Sequence, residues 1–466
     1  MHHQPFLASI AGLLLIAPAC STDAPSGAAS HAGNAARGGS SGTGSGGLGA
    51  GGAAAGQAGM QGGAGSGAGG GSANTAGMAG SGAGGGSAGS AASGGTAGGA
   101  PAGMGGAMPA AGLGGAMPAG SGGADTGGMS GMAGAGPAVW HAATATAVTE
   151  SMLSSEYSAW KMKHVKACTD GSSVVTKDGG AVVSEGIGYG MLIAAGFDDR
   201  ALFDGLWKYY VDHEDPLGLM NWSTGVCDAA GNNDANAATD GDLDTAMALV
   251  QASARWPDGS YLADAKTLTG AIVASETELC GERAILRPGD KFGGCSDMSS
   301  ARVNPSYFAP GYYRVFAAKF PEQAERWNAL VAGSYELYPL YQARMSGLVP
   351  DWAAVDGSDW YGAMYSYDAC RTPWRVMVDY AWSGEPKAKT MLQGVRGWVD
   401  ANGTGSMPSN SAFLGSFALA AAYDQQAFDA AVSSWLGSNG DDSPYFQGTL
   451  RVLYLLAAAG KFPSTL

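Results

Sequence analysis

The stretch Ala238-Thr239-Asp240-Gly241-Asp242-Leu243-Asp244 runs directly into Ala246–Trp256, and its reading sets how the rest of the chain is read. Apolar residues recur three and four apart, so the spacing predicts a helix over 240–255 that begins on acids. Thr239 with Asp242 three positions later reads as a capping box, which would give at least one acid a structural task. Asp240 and Asp244 lie one helical turn apart on one face. That arrangement raises calcium, but an EF-hand loop needs a longer ligand series and a closing Glu, which are absent here.

Outward from this helix the same period recurs. Helices are predicted at 144–160, 184–196, 199–212, 259–277, 308–319, 321–341, 371–383, 386–401, 410–422, 425–436 and 444–459. With 240–255 they make an all-α chain of six helical hairpins. Longer polar, Gly-rich connections fall at 161–183, 213–239, 278–307 and 342–370. Long connections in a compact domain tend to carry function.

Two further segments combine helix starts with chemistry. Ser184-Glu185-Gly186-Ile187-Gly188-Tyr189-Gly190-Met191 opens a helix on a carboxylate and is rich in Gly, which admits another backbone or a ligand at close range. The plainer reading of Glu185 is a first-turn acid favoured by the helix dipole. The glycine spacing does not match a dinucleotide fingerprint, and no βαβ pattern surrounds it. Tyr365-Ser366-Tyr367-Asp368-Ala369-Cys370-Arg371-Thr372-Pro373-Trp374-Arg375 sets Asp368 just before a helix whose first turn carries Pro373. Its plainer reading is an Asp–Arg ion pair beside a core Trp374.

These segments together resemble glycoside hydrolase family 8. The resemblance rests on SEGIGYGM at 184–191, ATDGDLDTA at 238–246, NPSYFAP at 304–310 and YDACRTPWR at 367–375, and it covers about 184–459. Thr245 departs from a pattern that prefers Ile or Met there. The resemblance implies an (α/α)6 barrel that hydrolyses a β-linked polysaccharide with inversion. It implies Glu185 as general acid, Asp368 as general base and Asp240 as the acid holding the sugar at the cleavage point. Inversion needs one carboxyl protonated, one ionised, and room for water between them. Arg371 would help keep Asp368 ionised. Trp222, Tyr307 and Tyr367 lie in or beside the long connections and are candidates for stacking on sugar rings, with core packing as the plainer alternative. Asp in the YDA position points to an endo-β-1,4-glucanase. Xylanase and mixed-linkage glucanase stay open, and chitosanase is disfavoured. A glycan-binding protein without catalysis would have no need of this acid–base pair, and a polysaccharide lyase would want a His, Tyr or Lys base, while neither Lys nor His is concentrated in these segments.

Composition divides the chain. Residues 21–136 are almost entirely Gly, Ala and Ser, while 137–466 hold all twelve Trp and are expected to form the catalytic domain. The low-complexity segment reads as a disordered linker whose ends lie roughly 55–65 Å apart. Net charge is -15; such an acidic chain argues against nucleic acid as partner. Phe6–Ala19 is an apolar run too short to span a bilayer as a mature helix, and it ends in Ala17-Pro18-Ala19-Cys20. Residues 1–20 therefore read as an export signal of lipoprotein type, with Cys20 lipidated and the enzyme tethered at the cell surface. An ordinary signal peptide is the plainer reading. Five cysteines follow Cys20; Cys280 with Cys295 is the first expected disulfide and Cys168 with Cys227 the second. No CxxC or HExxH spacing suggests a metal. No cofactor is expected, and the chain is expected to act as a monomer.

Overall fold

The computed structural model describes residues 139–228, 236–296, 301–358 and 364–462. The leader with Cys20 and the linker at 21–136 lie outside these residues. Twelve α-helices are present among the described residues: α1 Glu150–His164, α2 Ser184–Gly196, α3 Arg200–Asp212, α4 Thr239–Arg255, α5 Tyr261–Ser275, α6 Pro310–Lys319, α7 Ala324–Arg344, α8 Thr372–Ser383, α9 Pro386–Asn402, α10 Ser411–Leu419, α11 Gln425–Leu436 and α12 Tyr445–Ala458.

The helices form an (α/α)6 barrel. The even-numbered helices make an inner ring and are buried nearly all round, as α2 and α4 show. The odd-numbered helices cover them and bury only one stripe each, as α1 and α11 do. Each inner helix pairs with the outer helix that follows it, from α2–α3 to α10–α11. The sixth pair joins the ends of the domain, with the last helix α12 packed on the first, α1. Unfolding at either terminus would therefore open the ring.

Glycine sets how closely α2 and α4 approach. A β-carbon on Gly188 would lie 2.8 Å from the Gly241 carbonyl oxygen and from Asp244 Cβ, and one on Gly241 would lie 2.5 Å from Ser184 Oγ. The close neighbour that the glycines admit is thus another helix.

One sequence expectation fails at the start of the domain. Helix α1 begins at Glu150, six residues later than the periodicity suggests, because Thr149 accepts a bond from the Met152 amide and caps it. The preceding residues run across the barrel, with amides of His141, Ala143 and Ala145 donating to the carbonyls of Ala381, Ala422 and Ala458. This segment ties α8, α12 and the turn after α10 together at one end.

The long connections carry short strands. β1 (Val165–Ala167) pairs with β2 (Ser173–Val175), and β5 (Thr277–Cys280) with β6 (Arg283–Leu286). β3 (Ala181–Val183) pairs with β4 (Ser223–Gly225), and β7 (Arg302–Val303) with β8 (Ala353–Ala354). The last two pairs each join two different connections and brace the chain leading into α2 and α6. Disulfides Cys168–Cys227 and Cys280–Cys295 both form, and Cys370 is a buried free thiol.

Candidate active site

Glu185 lies in the first turn of α2, Asp240 in the first turn of α4, and Tyr445 at the first residue of α12. Asp368 precedes and Arg371 ends the short 3-10 turn that leads into α8, and Ser306 and Tyr307 lie in another that leads into α6. Inner-helix N-termini thus converge on one mouth of the barrel. Their dipoles are positive there and favour carboxylates.

The centre of the site is Arg371, whose side chain is 2 % exposed. Its Nη1 donates to Glu185 Oε2 at 2.6 Å and to Asp240 Oδ2 at 2.8 Å. Its Nη2 donates to Asp368 Oδ1 at 2.7 Å and to Ser306 Oγ at 3.0 Å. The rings of Tyr307 and Phe446 lie 5.2 Å and 5.8 Å from the guanidinium carbon. One cation therefore gathers three acids that lie far apart in sequence, and holds Glu185 and Asp368 on different terminal nitrogens.

A second pair locks the register between α4 and α8. Arg375 binds Asp244 through both terminal nitrogens, and both side chains are buried. Asp240 with Arg371 and Asp244 with Arg375 are two interlocked pairs one turn apart, which fixes the rotation of α4 against α8.

The acids differ in environment. Asp368 keeps 33 % of its side chain exposed, Glu185 17 %, and Asp240 4 %. Burial pushes the Glu185 carboxyl above the usual range; Arg371 and the Tyr445 hydroxyl oppose that, and Asp368 adds to it. Burial likewise raises Asp240 to about 7, against the pull of Arg371 and with the push of Glu185. Three carboxylates around one guanidinium would carry two surplus negative charges. The site is therefore arranged to hold a proton near neutral pH while the more open Asp368 meets solvent.

Supporting contacts place each acid. Tyr445 donates its hydroxyl to Glu185 Oε1 at 2.9 Å, and a β-carbon on Gly186 would lie 3.0 Å from that hydroxyl. Asp351 Oδ1 accepts from the Ser366 amide at 2.9 Å and the Ala369 amide at 2.7 Å, and so clamps the turn that carries Asp368.

Of the aromatic candidates, Tyr307 packs against Arg371 and remains half-buried. The carbonyl of Trp222 accepts from the Ser184 amide at 3.0 Å, next to Glu185. Tyr367 meets Phe413 and Phe446 edge-on, with centroids 5.1 Å and 5.8 Å away. The capping box does not form. Thr239 Oγ1 donates to the Arg287 carbonyl at 2.8 Å, and Asp242 turns inward to the Tyr210 hydroxyl and the Met220 amide. Both residues have buried tertiary partners that outcompete the local bonds.

The family model described as Glycosyl hydrolases family 8 matches residues 129–460. Endoglucanase A of Acetivibrio thermocellus is 34 % identical over 347 residues, 68 % of this chain and 70 % of that protein. Endoglucanase 2 of Ruminiclostridium josui is 32 % identical over 354 residues, 69 % of this chain and 74 % of that one. Among solved structures, the apo β-1,3-1,4-glucanase from Paenibacillus sp. X4 superposes with a TM-score of 0.62 at 24 % identity, covering 70 % of this chain and 97 % of its own.

Proposed function

This chain belongs to glycosyl hydrolases family 8, and from that premise we propose that it cuts internal β-1,4 bonds of a glucan by an inverting acid–base mechanism. It is a glycoside hydrolase. Sequence likeness to two endoglucanases over more than two thirds of the chain supports glucan as substrate. The observation that carries the mechanism is the triple grip of Arg371 on Glu185, Asp240 and Asp368.

Glu185 is the general acid. Its raised affinity for a proton suits a group that must be protonated when the leaving sugar needs one. Asp368 is the general base. It is the most open of the three, so a water can reach it, and Arg371 Nη2 donates to it at 2.7 Å. Asp240 is the most buried of the three, shares Arg371 Nη1 with Glu185, and suits a bond to the sugar at the cleavage point. Tyr307, Tyr367 and Trp222 offer apolar faces to the sugars on either side. The alkaline limb of kcat/KM should report Glu185 and lie above the usual carboxylate range.

A substrate panel tests this reading. Reducing ends should appear fastest on soluble β-1,4-glucan, with viscosity falling early as internal bonds are cut. Faster release from xylan or chitosan would move the substrate elsewhere in the family.

The placement of the enzyme rests on the sequence alone. The apolar run ending at Cys20 supports export and lipidation, with 21–136 as a tether that lets the barrel reach bulky polymer. Cys20→Ser should move the protein from the membrane fraction to the soluble one. Unchanged fractionation would leave a plain signal peptide.

A further inference from the structure

Behind the acids that face the cleft lies a second pair that the mechanism does not use. Asp242, two residues beyond Asp240, and Glu276, which closes α5, are both fully buried, as is Thr239. Asp242 Oδ1 accepts from the Tyr210 hydroxyl and from the Met220 amide at 3.2 Å. Its other oxygen and both oxygens of Glu276 meet no N–H or O–H donor among the described residues. The carboxyl groups of Asp242 and Glu276 are neighbours, and Glu276 also lies near the Thr239 hydroxyl. That hydroxyl spends its own hydrogen on the Arg287 carbonyl. Two carboxyl groups can bond to each other only if one brings a proton.

The surroundings leave little else to supply it. Tyr210 approaches from α3. Glu214, Asp215 and the Met220 amide come from the connection after α3, and Asp290, with Arg287 and Lys291 beside it, from the connection after β6. Asp240 lies on α4 itself. Most of these charges are negative and disfavour a second anion. The one group of His, Cys, Asp and Glu close enough to share a metal among the described residues is Glu278, Cys280 and Cys295, which does not include this pair.

Glu276 is rigidly placed. Its amide donates to the Ile272 carbonyl, and its carbonyl accepts from the Arg287 amide, both at 2.8 Å. It neighbours Thr239, next to Asp240, and Asp242, two residues beyond it.

We propose that Asp242 and Glu276 share one proton in the working enzyme, and that this pair is the brace holding the first turn of α4, and with it Asp240, against Arg371. The positioning half rests on the role assigned to Asp240 above; the shared proton does not. When the proton leaves to hydroxide at alkaline pH, two adjacent buried anions repel and the turn shifts. Retention of the proton above the unfolded carboxylate range means that this site loses stability as pH rises.

The test uses the full chain with Glu276→Gln, Asp242→Asn and Glu276→Ala. An amide at 276 donates permanently to Asp242. An amide at 242 keeps its oxygen for Tyr210 and Met220 and donates to Glu276. Without substrate, Tm of the wild type should fall from pH 6 to pH 9, and each amide variant should shift that fall upward by about one pH unit or more. At optimal pH, Glu276→Gln should stay within about threefold of wild-type kcat. Glu276→Ala should lose about tenfold or more in kcat with KM changed less than about twofold. Identical alkaline profiles in wild type and both amide variants would overturn the shared proton. An unimpaired kcat in Glu276→Ala would overturn the brace, and if that variant does not fold, a more than tenfold loss in both amide variants would do so. Full activity in Asp240→Asn would instead remove the role of Asp240 and leave the Tm result standing.

Discussion

Glu185→Gln loses about 10²–10⁴-fold in kcat on a β-1,4-glucan, but much less on an aryl glycoside with a good leaving group. A glucose unit departs as a poor leaving group and needs a proton from Glu185 as the bond breaks. An activated phenol departs without one. Gln keeps the oxygen that meets either Arg371 or Tyr445, so the fold should be spared. Asp368→Asn should be crippled on both substrates, since water must be activated whatever departs. The two variants are thus told apart by substrate and not by the size of the loss. Steady-state kinetics on a polymer and on an aryl glycoside check this. Equal losses by Glu185→Gln on both, or wild-type rates in Asp368→Asn, contradict the assignment.

Arg371→Met is the second large effect, and its size should depend on pH. Arg371 is buried with three carboxyl groups, and removing one partner of a buried ionic cluster costs about 3–5 kcal/mol. The guanidinium pulls down the proton affinity of Glu185 and Asp240. Without it, both acids hold protons to higher pH in the folded state than in the wild type. A carboxyl whose affinity is raised by folding costs stability as pH rises above its unfolded value. The gap between variant and wild type should therefore be small near pH 4 and wide near pH 8. Denaturant unfolding at both pH values measures it. A loss below about 1 kcal/mol, or one equal at both pH values, contradicts the role of Arg371 as the cation that holds the acids together.

Much of this was legible in local pattern. Helices α2 and α11 fall where periodicity sets them, because their sequences are bounded by Ser184 and Gly196, and by Asp424 and Gly437. The Cys280–Cys295 disulfide follows from close spacing within one connection, while Cys168–Cys227 joins two connections 59 residues apart. Local pattern misled where a distant partner won. Thr239 and Asp242 look like a cap but are drawn to Arg287 and Tyr210. Residues before Glu150 have helical spacing but are held by the carbonyls of Ala381 in α8, Ala458 in α12 and Ala422 in the turn after α10.

The site shows the same division. Glu185, Asp240, Asp368 and Arg371 lie in segments that stand out by composition. Tyr445 and Phe446 do not; they follow Pro444 at an ordinary helix start, and Tyr445 meets Glu185 across 260 residues of sequence. Their only local signal is an aromatic pair at the N-terminus of an apolar helix. That one arginine joins three acids was equally hidden, since the sequence offers only the Asp368–Arg371 spacing. Packing of α12 on α2 creates the Tyr445 contact, and the convergence of α2, α4 and α8 creates those of Arg371.

The most direct test of the central claim is the anomeric form of the first product. Proton NMR of a soluble β-1,4-oligoglucan with the wild-type enzyme, recorded before mutarotation, separates the two outcomes. Water activated by Asp368 attacks the face opposite the bond protonated by Glu185, so the new reducing end should appear first as the α-anomer. Initial appearance of the β-anomer would mean a covalent intermediate and would contradict the pairing of Glu185 as acid with Asp368 as base.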